Sequence, residues 1–175
     1  MKLITVEDID NNFDNLEDYF ENLFKRLKNH SIIEKYWKIH EDDIRYQQDG
    51  LYFEKILNFQ HGTVQILILD TRYFRSSLLK NQNADKNGME HYLPDYDLKK
   101  TMLGKIQWKW LIKALEREAD VRIIGTSIQL LAEGHGWERW GNFPHQRKKL
   151  LKLLAKTSKN KAIVISGDRH LGGIY

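Results

Sequence analysis

The residues with the clearest chemical potential stand near the end of the chain, in Ser166-Gly167-Asp168-Arg169-His170. They follow residues 162–165, a β-branched apolar run typical of a strand buried on both faces. In open α/β sheets, ligand sites lie just beyond the carboxyl ends of strands. Asp168 and His170 are alternate residues with an oxygen and an imidazole donor, so we predict that both bind a metal ion. The alternative for His170 is a histidine satisfied within the core.

Polar and charged residues also follow two other predicted strands. Residues 63–69 run into Asp70-Thr71-Arg72-Tyr73-Phe74-Arg75, and residues 121–126 run into Ser127-Ile128-Gln129. Because parallel strands point the same way, we expect these ends to meet the last one at a single edge of the sheet. Guanidinium groups bind phosphate through two hydrogen bonds, and a metal held by a carboxylate and an imidazole makes hydroxide from water. The combination predicts chemistry on phosphate esters.

The order of elements that would position these groups is strand, helix, strand, helix, strand. The apolar spacing of residues 103–115 predicts a helix, and a second one begins at Pro144 and ends near Thr157. Turn signals on either side of residues 51–59 predict a hairpin that leads into the first parallel strand. The fold class is therefore α/β, with mainly parallel strands, flanking helices and a hairpin.

The remaining segments are expected to pack or to lie on the surface. Residues 12–30 have the spacing of an amphipathic helix, and residues 31–40 that of a second short helix. Residues 76–98 are polar and aperiodic, which predicts a long surface loop. We expect one domain, with residues 1–46 as a helical lead-in to a core of residues 47–175.

Composition restricts the classes of function. The formal net charge of +4 is modest and the basic residues are spread along 175 positions, so we do not expect nucleic acid as a partner. The absence of cysteine excludes thiolate metal ligands. The sequence has neither a membrane-length apolar run nor a signal-peptide core, so as it stands we expect a cytoplasmic protein that does not associate with membranes.

Side chains at the expected edge have competing interpretations. Asp70 and Arg72 could pair with each other to close the strand end. Glu138 lies in the glycine-containing loop 133–142, and it could be an acid near the site or an anchor for Arg72 or Arg75. The tryptophans of this loop fit packing better than stacking on a substrate.

Five ordered motifs give a resemblance to a known family. They occupy residues 69–75, 102–111, 127–129, 137–144 and 166–170. This series resembles the alkaline phosphatase D-like family of metallophosphatases, from about residue 47 to the C-terminus. The resemblance implies part of a metallophosphoesterase fold, in which two sheets face each other between helices. It also implies a phosphoric ester hydrolase that acts on phosphomonoesters or phosphodiesters with iron and calcium ions, or similar ones.

The resemblance also assigns roles to residues. Asp168 and His170 fall where the family places metal ligands, and they are the candidate catalytic residues. The residues that would border the phosphate-ester substrate are Asp70, Arg72, Arg75, Gln129, Glu138 and Asn142.

Upstream, the chain departs from the family's pattern. An early Gly-Asp element and a Trp-Asp-Asp-His-Asp-type element, which carry further metal ligands, do not occur; Glu41-Asp42-Asp43-Ile44 is not that motif. We therefore expect a central to C-terminal portion of such an enzyme, weakly active or inactive alone, which a complementary N-terminal half would complete. Family members are often exported, and an export signal would lie in that half. The alternative is a non-catalytic remnant or binding module whose uncovered apolar sheet face favours association.

Overall fold

The computed structural model describes His40, residues 42–82, Ala84, and residues 91–157, 162–167 and 173. These residues fall into two compact units that divide between Gln48 and Asp49. The helix expected over residues 12–30, and nearly all of the one expected over residues 31–40, lie outside the described residues.

The first unit contains a short 3-10 helix, Ile44–Tyr46, which is capped by Asp43. Asp43 Oδ1 accepts a hydrogen bond from the Arg45 backbone N–H at 2.9 Å, and the carboxylate accepts two more from the Arg45 guanidinium at 2.7 Å. The side-chain hydrogen bond to Asp43 raises the pKa of the Arg45 guanidinium. Asp43 therefore closes the start of this turn.

The second unit is built on a four-stranded sheet with helices that cross between its parallel strands. Its elements in chain order are β1 (Phe53–Phe59), β2 (Gly62–Leu69), β3 (Leu79–Lys80), β4 (Tyr92–Leu93), α1 (Gly104–Leu115), β5 (Val121–Thr126), a 3-10 helix (Trp140–Asn142), α2 (Pro144–Thr157) and β6 (Ala162–Ser166). The sheet has the strand order β1-β2-β5-β6. The predicted hairpin, both crossover helices and all three parallel strands are confirmed.

The carboxyl ends of the three parallel strands meet at one edge of the sheet. Leu69 of β2 lies opposite Thr126 of β5, and Thr126 lies opposite Ser166 of β6. The convergence expected from the sequence is therefore confirmed as far as Gly167. Asp168 and His170 themselves lie outside the described residues.

One face of the sheet forms the hydrophobic core with both helices. β2 and β5 bury alternate residues, as expected for strands with one face on a core. Leu67 and Ile124 are fully buried there with Leu111 of α1 and Leu150 of α2. Burying each such side chain contributes roughly 1.5–3 kcal/mol, so this layer supplies much of the stability.

A buried polar network lies at the other end of this core. Arg122 is 5% exposed, and its Nε donates to Gln65 Oε1 at 2.6 Å. Its Nη1 donates to the carbonyl of Thr157 at 2.8 Å and its Nη2 to that of Leu115 at 3.2 Å. These carbonyls end α2 and α1, where the helix dipole favours a cation. One guanidinium thus ties the ends of both helices to β5.

The opposite face of the sheet is also apolar. Alternation along the strands places Ile66, Ile123 and Ile163 side by side on it, in neighbouring register. Ile163 and Ile165, in the edge strand β6, are both 55% exposed. We call this surface the second face.

Residues 76–98, which were predicted as a loop, contain a short pairing. Leu79–Lys80 and Tyr92–Leu93 form a two-stranded antiparallel ladder. A pairing of two residues leaves no periodic pattern, so it could not be predicted from the sequence. Among the helices described, none is long and apolar enough to cross a membrane.

Candidate functional site

The corner after β2 is fixed by the side chain of Asp70. Asp70 Oδ1 accepts hydrogen bonds from the backbone N–H groups of Arg72 at 2.8 Å and Tyr73 at 2.9 Å, and Oδ2 accepts one from Leu51 at 2.8 Å. The Gln107 side chain of α1 both donates to and accepts from the Asp70 backbone, each at 2.8 Å. Asp70 therefore stabilises the turn through main-chain groups. It does not pair with the Arg72 guanidinium, which contacts Glu138 instead.

The start of α1 packs tightly against the same turn. Gly104 has a φ of +65°, which favours glycine. A Cβ atom at Gly104 would lie 2.8 Å from the Cβ of Phe74. Phe74 stands between Arg72 and Arg75 in sequence, so the absence of a side chain at Gly104 lets the arginine-bearing turn lie against the helix.

Arg72 and Arg75 both form ion pairs with Glu138. We call the two arginines the arginine pair and Glu138 their anchor. Arg75 Nη2 lies 3.0 Å from Glu138 Oε1, and Arg72 Nη1 contacts Glu138 Oε2. The side chains of Arg75 and Glu138 are 10% and 17% exposed, whereas that of Arg72 is 42% exposed. Of the two interpretations of Glu138, the structure therefore supports the one in which it anchors Arg72 and Arg75.

The arginine pair retains capacity for an anion. Two guanidiniums share one carboxylate, so the cluster keeps a formal charge of +1. Arg75 Nη1 is buried and has no hydrogen-bond partner among the described residues. Leaving such a donor unpaired costs about 1–3 kcal/mol, and an oxyanion that accepted its hydrogen bond would offset this cost.

The corners after β2 and β5 are joined by two hydroxyl groups. Thr71 Oγ1 and Ser127 Oγ form a hydrogen bond, although the residues are 56 positions apart. Thr71 is buried and Ser127 is exposed, so the contact lies where the interior opens to the sheet edge. This pair was not predicted from the sequence, in which the one signal is that both hydroxyls follow strands predicted to be parallel.

The glycine-containing loop is tied to the corner after β5 through its backbone. Gln129 and Arg139 form an isolated parallel bridge, and the Trp140 N–H donates to the Gln129 carbonyl at 2.9 Å. The fully buried Asn142 accepts the Arg139 backbone N–H at 2.7 Å through Oδ1. Asn142 Nδ2 has no hydrogen-bond partner in the part of the chain that is described.

The two tryptophans of this loop have different environments. Trp140 is fully buried, its Nε1 donates to Thr126 Oγ1 at 2.9 Å, and its ring packs edge-on against Trp108. Trp137 is 43% exposed and contacts the His91 ring at a centroid distance of 4.5 Å. Packing is therefore confirmed for Trp140, whereas Trp137 keeps surface open to solvent.

The structure brings part of the predicted site together. The Asp70 turn, Arg72, Arg75 and Glu138 form one connected group, and Gln129 lies beside the loop that contains Asn142. Asp168 and His170 follow Gly167 in the sequence and lie outside the described residues. The substrate and metal roles of all these residues stay predictions.

The described carboxylates at this edge do not fit a metal site. Both Asp70 oxygens accept backbone hydrogen bonds, and both Glu138 oxygens pair with guanidiniums. Over the described ranges, no group of three or more His, Cys, Asp or Glu residues could hold an ion. Asp168 and His170 remain the predicted metal ligands.

The fold and the edge define an α/β protein whose parallel strands end at a cationic corner. The family model of the PhoD-like phosphatases matches residues 43–173, and the chain belongs to this family. It is also similar to alkaline phosphatase D of Bacillus subtilis (strain 168), with 24% identity over 123 residues. This match covers 65% of the chain but 20% of the relative, so the chain spans a small part of that protein. No solved structure matches.

Proposed function

We propose that this chain carries the phosphate-binding edge of a metal-dependent phosphoesterase, which hydrolyses phosphomonoesters or phosphodiesters. The observation that carries the proposal is the arrangement of Arg72 and Arg75 on Glu138, with a buried Arg75 N–H left unpaired. Membership in the PhoD-like phosphatase family supports the same reaction class.

In this proposal the arginine pair binds non-bridging oxygens of the phosphoryl group. Charge develops on these oxygens during phosphoryl transfer, so cations fixed in advance stabilise the transition state more than the ground state. Glu138 is a positioning residue, because it holds both guanidiniums and would not itself approach an anion. Asp70 shapes the turn, and Gln129 and Asn142 border the substrate from the neighbouring loop.

The proposed metal ligands are Asp168 and His170, with iron and calcium, or similar ions, as cofactors. Two protein ligands are too few for a catalytic metal site, since a catalytic zinc ion usually has three protein ligands and two-metal sites need more. We propose that a complementary N-terminal half supplies the others, and that this chain alone turns over negligibly. The coverage of 20% of the Bacillus relative supports this.

Hydrolysis of para-nitrophenyl phosphate in the presence of iron, calcium or manganese tests the proposal. The chain alone is expected to show background rates, and mixing it with the complementary part of a PhoD-like protein should raise the rate. Asp168→Asn and His170→Ala should each abolish the gain, whereas the matched exposed control Asp42→Asn should keep it. Substantial activity of the chain alone that His170→Ala removed would overturn the requirement for a second half.

A second candidate is a non-catalytic binding module of the same fold. It is favoured by the second face, where Ile163 and Ile165 are both 55% exposed. Size-exclusion chromatography with light scattering tests this candidate: a module that uses this face would self-associate, and Ile163→Thr/Ile165→Thr would make it monomeric. A monomeric wild-type chain at high concentration would contradict this candidate.

A further inference from the structure

A basic groove lies on the helix side of the second unit, between α1, α2 and the segment before α1. Its volume is about 480 Å³. Its lining contains no acidic residue and five lysines, which we call the lysine groove: Lys99, Lys100, Lys105, Lys109 and Lys149. We propose that the lysine groove binds a linear polyanion whose charges are phosphate groups. This is separate from the function proposed for the sheet edge and does not depend on it.

Three parts of the chain bring the lysines together. Lys105 and Lys109 are four residues apart on α1 and so lie on one face of it, where like charges disfavour the isolated helix. Lys149 comes from α2, and its Nζ lies 4.1 Å from the centre of the Trp108 ring. Lys99 comes from the segment before α1. The fold thus gathers ammonium groups that repel one another.

Most of this charge is not neutralised within the described part of the chain. Lys100 lies 3.8 Å from Asp95 and donates to the Ser77 carbonyl at 3.0 Å. Across the described residues, the other four lysines of the groove have no carboxylate within ion-pair distance. Burial lowers the pKa of the Lys149 ammonium, as expected for a cation without an acid beside it. A concave surface of one sign attracts counter-ions strongly, so an anion is the natural occupant.

The chemistry of the lining favours a phosphate chain over a nucleic acid. Lysine ammoniums bind phosphate as point charges and need no planar partner. Recognition of single-stranded nucleic acid uses exposed aromatic rings for base stacking, but Trp108 is 4% exposed and Lys149 lies over it. The Gln146 side-chain oxygen is occupied by the Trp108 indole N–H at 2.8 Å. A nucleic-acid base would therefore find neither an exposed ring to stack on nor a free Gln146 oxygen to accept its hydrogen bond.

Isothermal titration calorimetry of the full chain with inorganic tripolyphosphate tests the inference. We expect binding that weakens with salt, and a loss of roughly tenfold in affinity in the double variant Lys105→Gln/Lys109→Gln. The matched control is Lys152→Gln/Lys156→Gln, which removes the same charge from exposed positions of α2 outside the groove. Equal losses in the two variants would mean diffuse attraction and would overturn the proposal, as would an absence of binding to wild type.

Two further titrations identify the class of ligand and the site at which it binds. A single-stranded oligothymidylate that bound more tightly than tripolyphosphate, with the same lysine dependence, would overturn the choice of a phosphate chain. Arg75→Lys should leave the lysine-dependent binding unchanged, and any event that it removes belongs to the sheet edge. If Arg75→Lys alone abolished all tripolyphosphate binding, the lysine groove would not be the site.

Discussion

Arg75 Nη2 lies 3.0 Å from Glu138 Oε1, and both side chains are largely withdrawn from solvent. The two residues are far apart in sequence, on the turn after β2 and on the loop that precedes α2. Because Glu138 also pairs with Arg72, a single carboxylate fixes both arginines at the edge where the parallel strands end.

Arg75→Lys should weaken the binding of inorganic phosphate by about tenfold or more, since a hydrogen bond to a charged group is worth roughly 1.5–3 kcal/mol. Lysine keeps the charge but cannot reach Glu138 and an anion together with a rigid fork. Calorimetric titration with phosphate measures the change. Arg117→Lys is the control, because Arg117 has a 61% exposed side chain and pairs with Glu54 instead. Equal affinities of wild type and Arg75→Lys would contradict a role of Arg75 in anion binding.

Glu138→Gln should lower the free energy of unfolding by roughly 1–3 kcal/mol. Breaking a buried pair by removing one partner costs more than this, but the 42% exposure of Arg72 screens part of the interaction. Thermal denaturation with and without phosphate is the measurement. Phosphate should raise the melting temperature of the variant more than that of wild type, since the anion replaces the lost carboxylate. A variant that phosphate failed to stabilise would count against this account.

Arg122→Met should destabilise the second unit by about 3 kcal/mol, although no ligand is expected near it. The change leaves the carbonyls that end α1 and α2, and Gln65 Oε1, without the hydrogen bonds of the guanidinium. Urea denaturation followed by circular dichroism gives the value. Arg117→Met, at an exposed position nearby in sequence, should change stability by less than about 0.5 kcal/mol. Similar losses of unfolding free energy in both variants would show that the buried network stabilises the fold no more than the exposed Arg117 side chain does.

Tyr52→Phe should reduce the loss of stability at alkaline pH. Burial, with smaller effects of Asp49 and Asp70, raises the pKa of the Tyr52 phenol above its usual value of 10.0. The unfolded chain therefore ionises first, so the stabilisation is complete below pH 10.0 and is lost as the pH rises through the higher, folded value. Melting temperatures between neutral and strongly alkaline pH should fall more steeply for wild type than for the variant. Parallel curves would be the contrary result.

Much of the fold could be predicted because its signals are local. The β-branched runs 63–69 and 121–126 and the apolar spacing of 103–115 each indicate one element, and their alternation allows few arrangements. Pro144 marked the start of α2 for a steric reason that needs no neighbour. The β3–β4 pairing was missed because two residues a strand are too few for a pattern.

Less of the site could be predicted, because it depends on partners that are distant in sequence. The sequence placed Arg72 and Arg75 at the edge, but it left open whether Glu138 is their anchor or an acid near the site. It showed a carboxylate at Asp70, but not that main-chain N–H groups would occupy both of its oxygens. Asp168 and His170 remain predictions, since they lie outside the described residues.

The bare backbone at Gly104 has a consequence for how genetic variation in this family is interpreted. The residue lines the lysine groove and does not belong to the arginine pair, yet the 2.8 Å approach to Phe74 Cβ means that a methyl group there would force the arginine-bearing turn to shift. Inactivating alleles at this position would thus arise by displacement over a distance. A deep mutational scan of phosphatase activity that scored Gly104 as essential would be recording the shape of a neighbouring turn rather than a contact between Gly104 and the phosphoryl group.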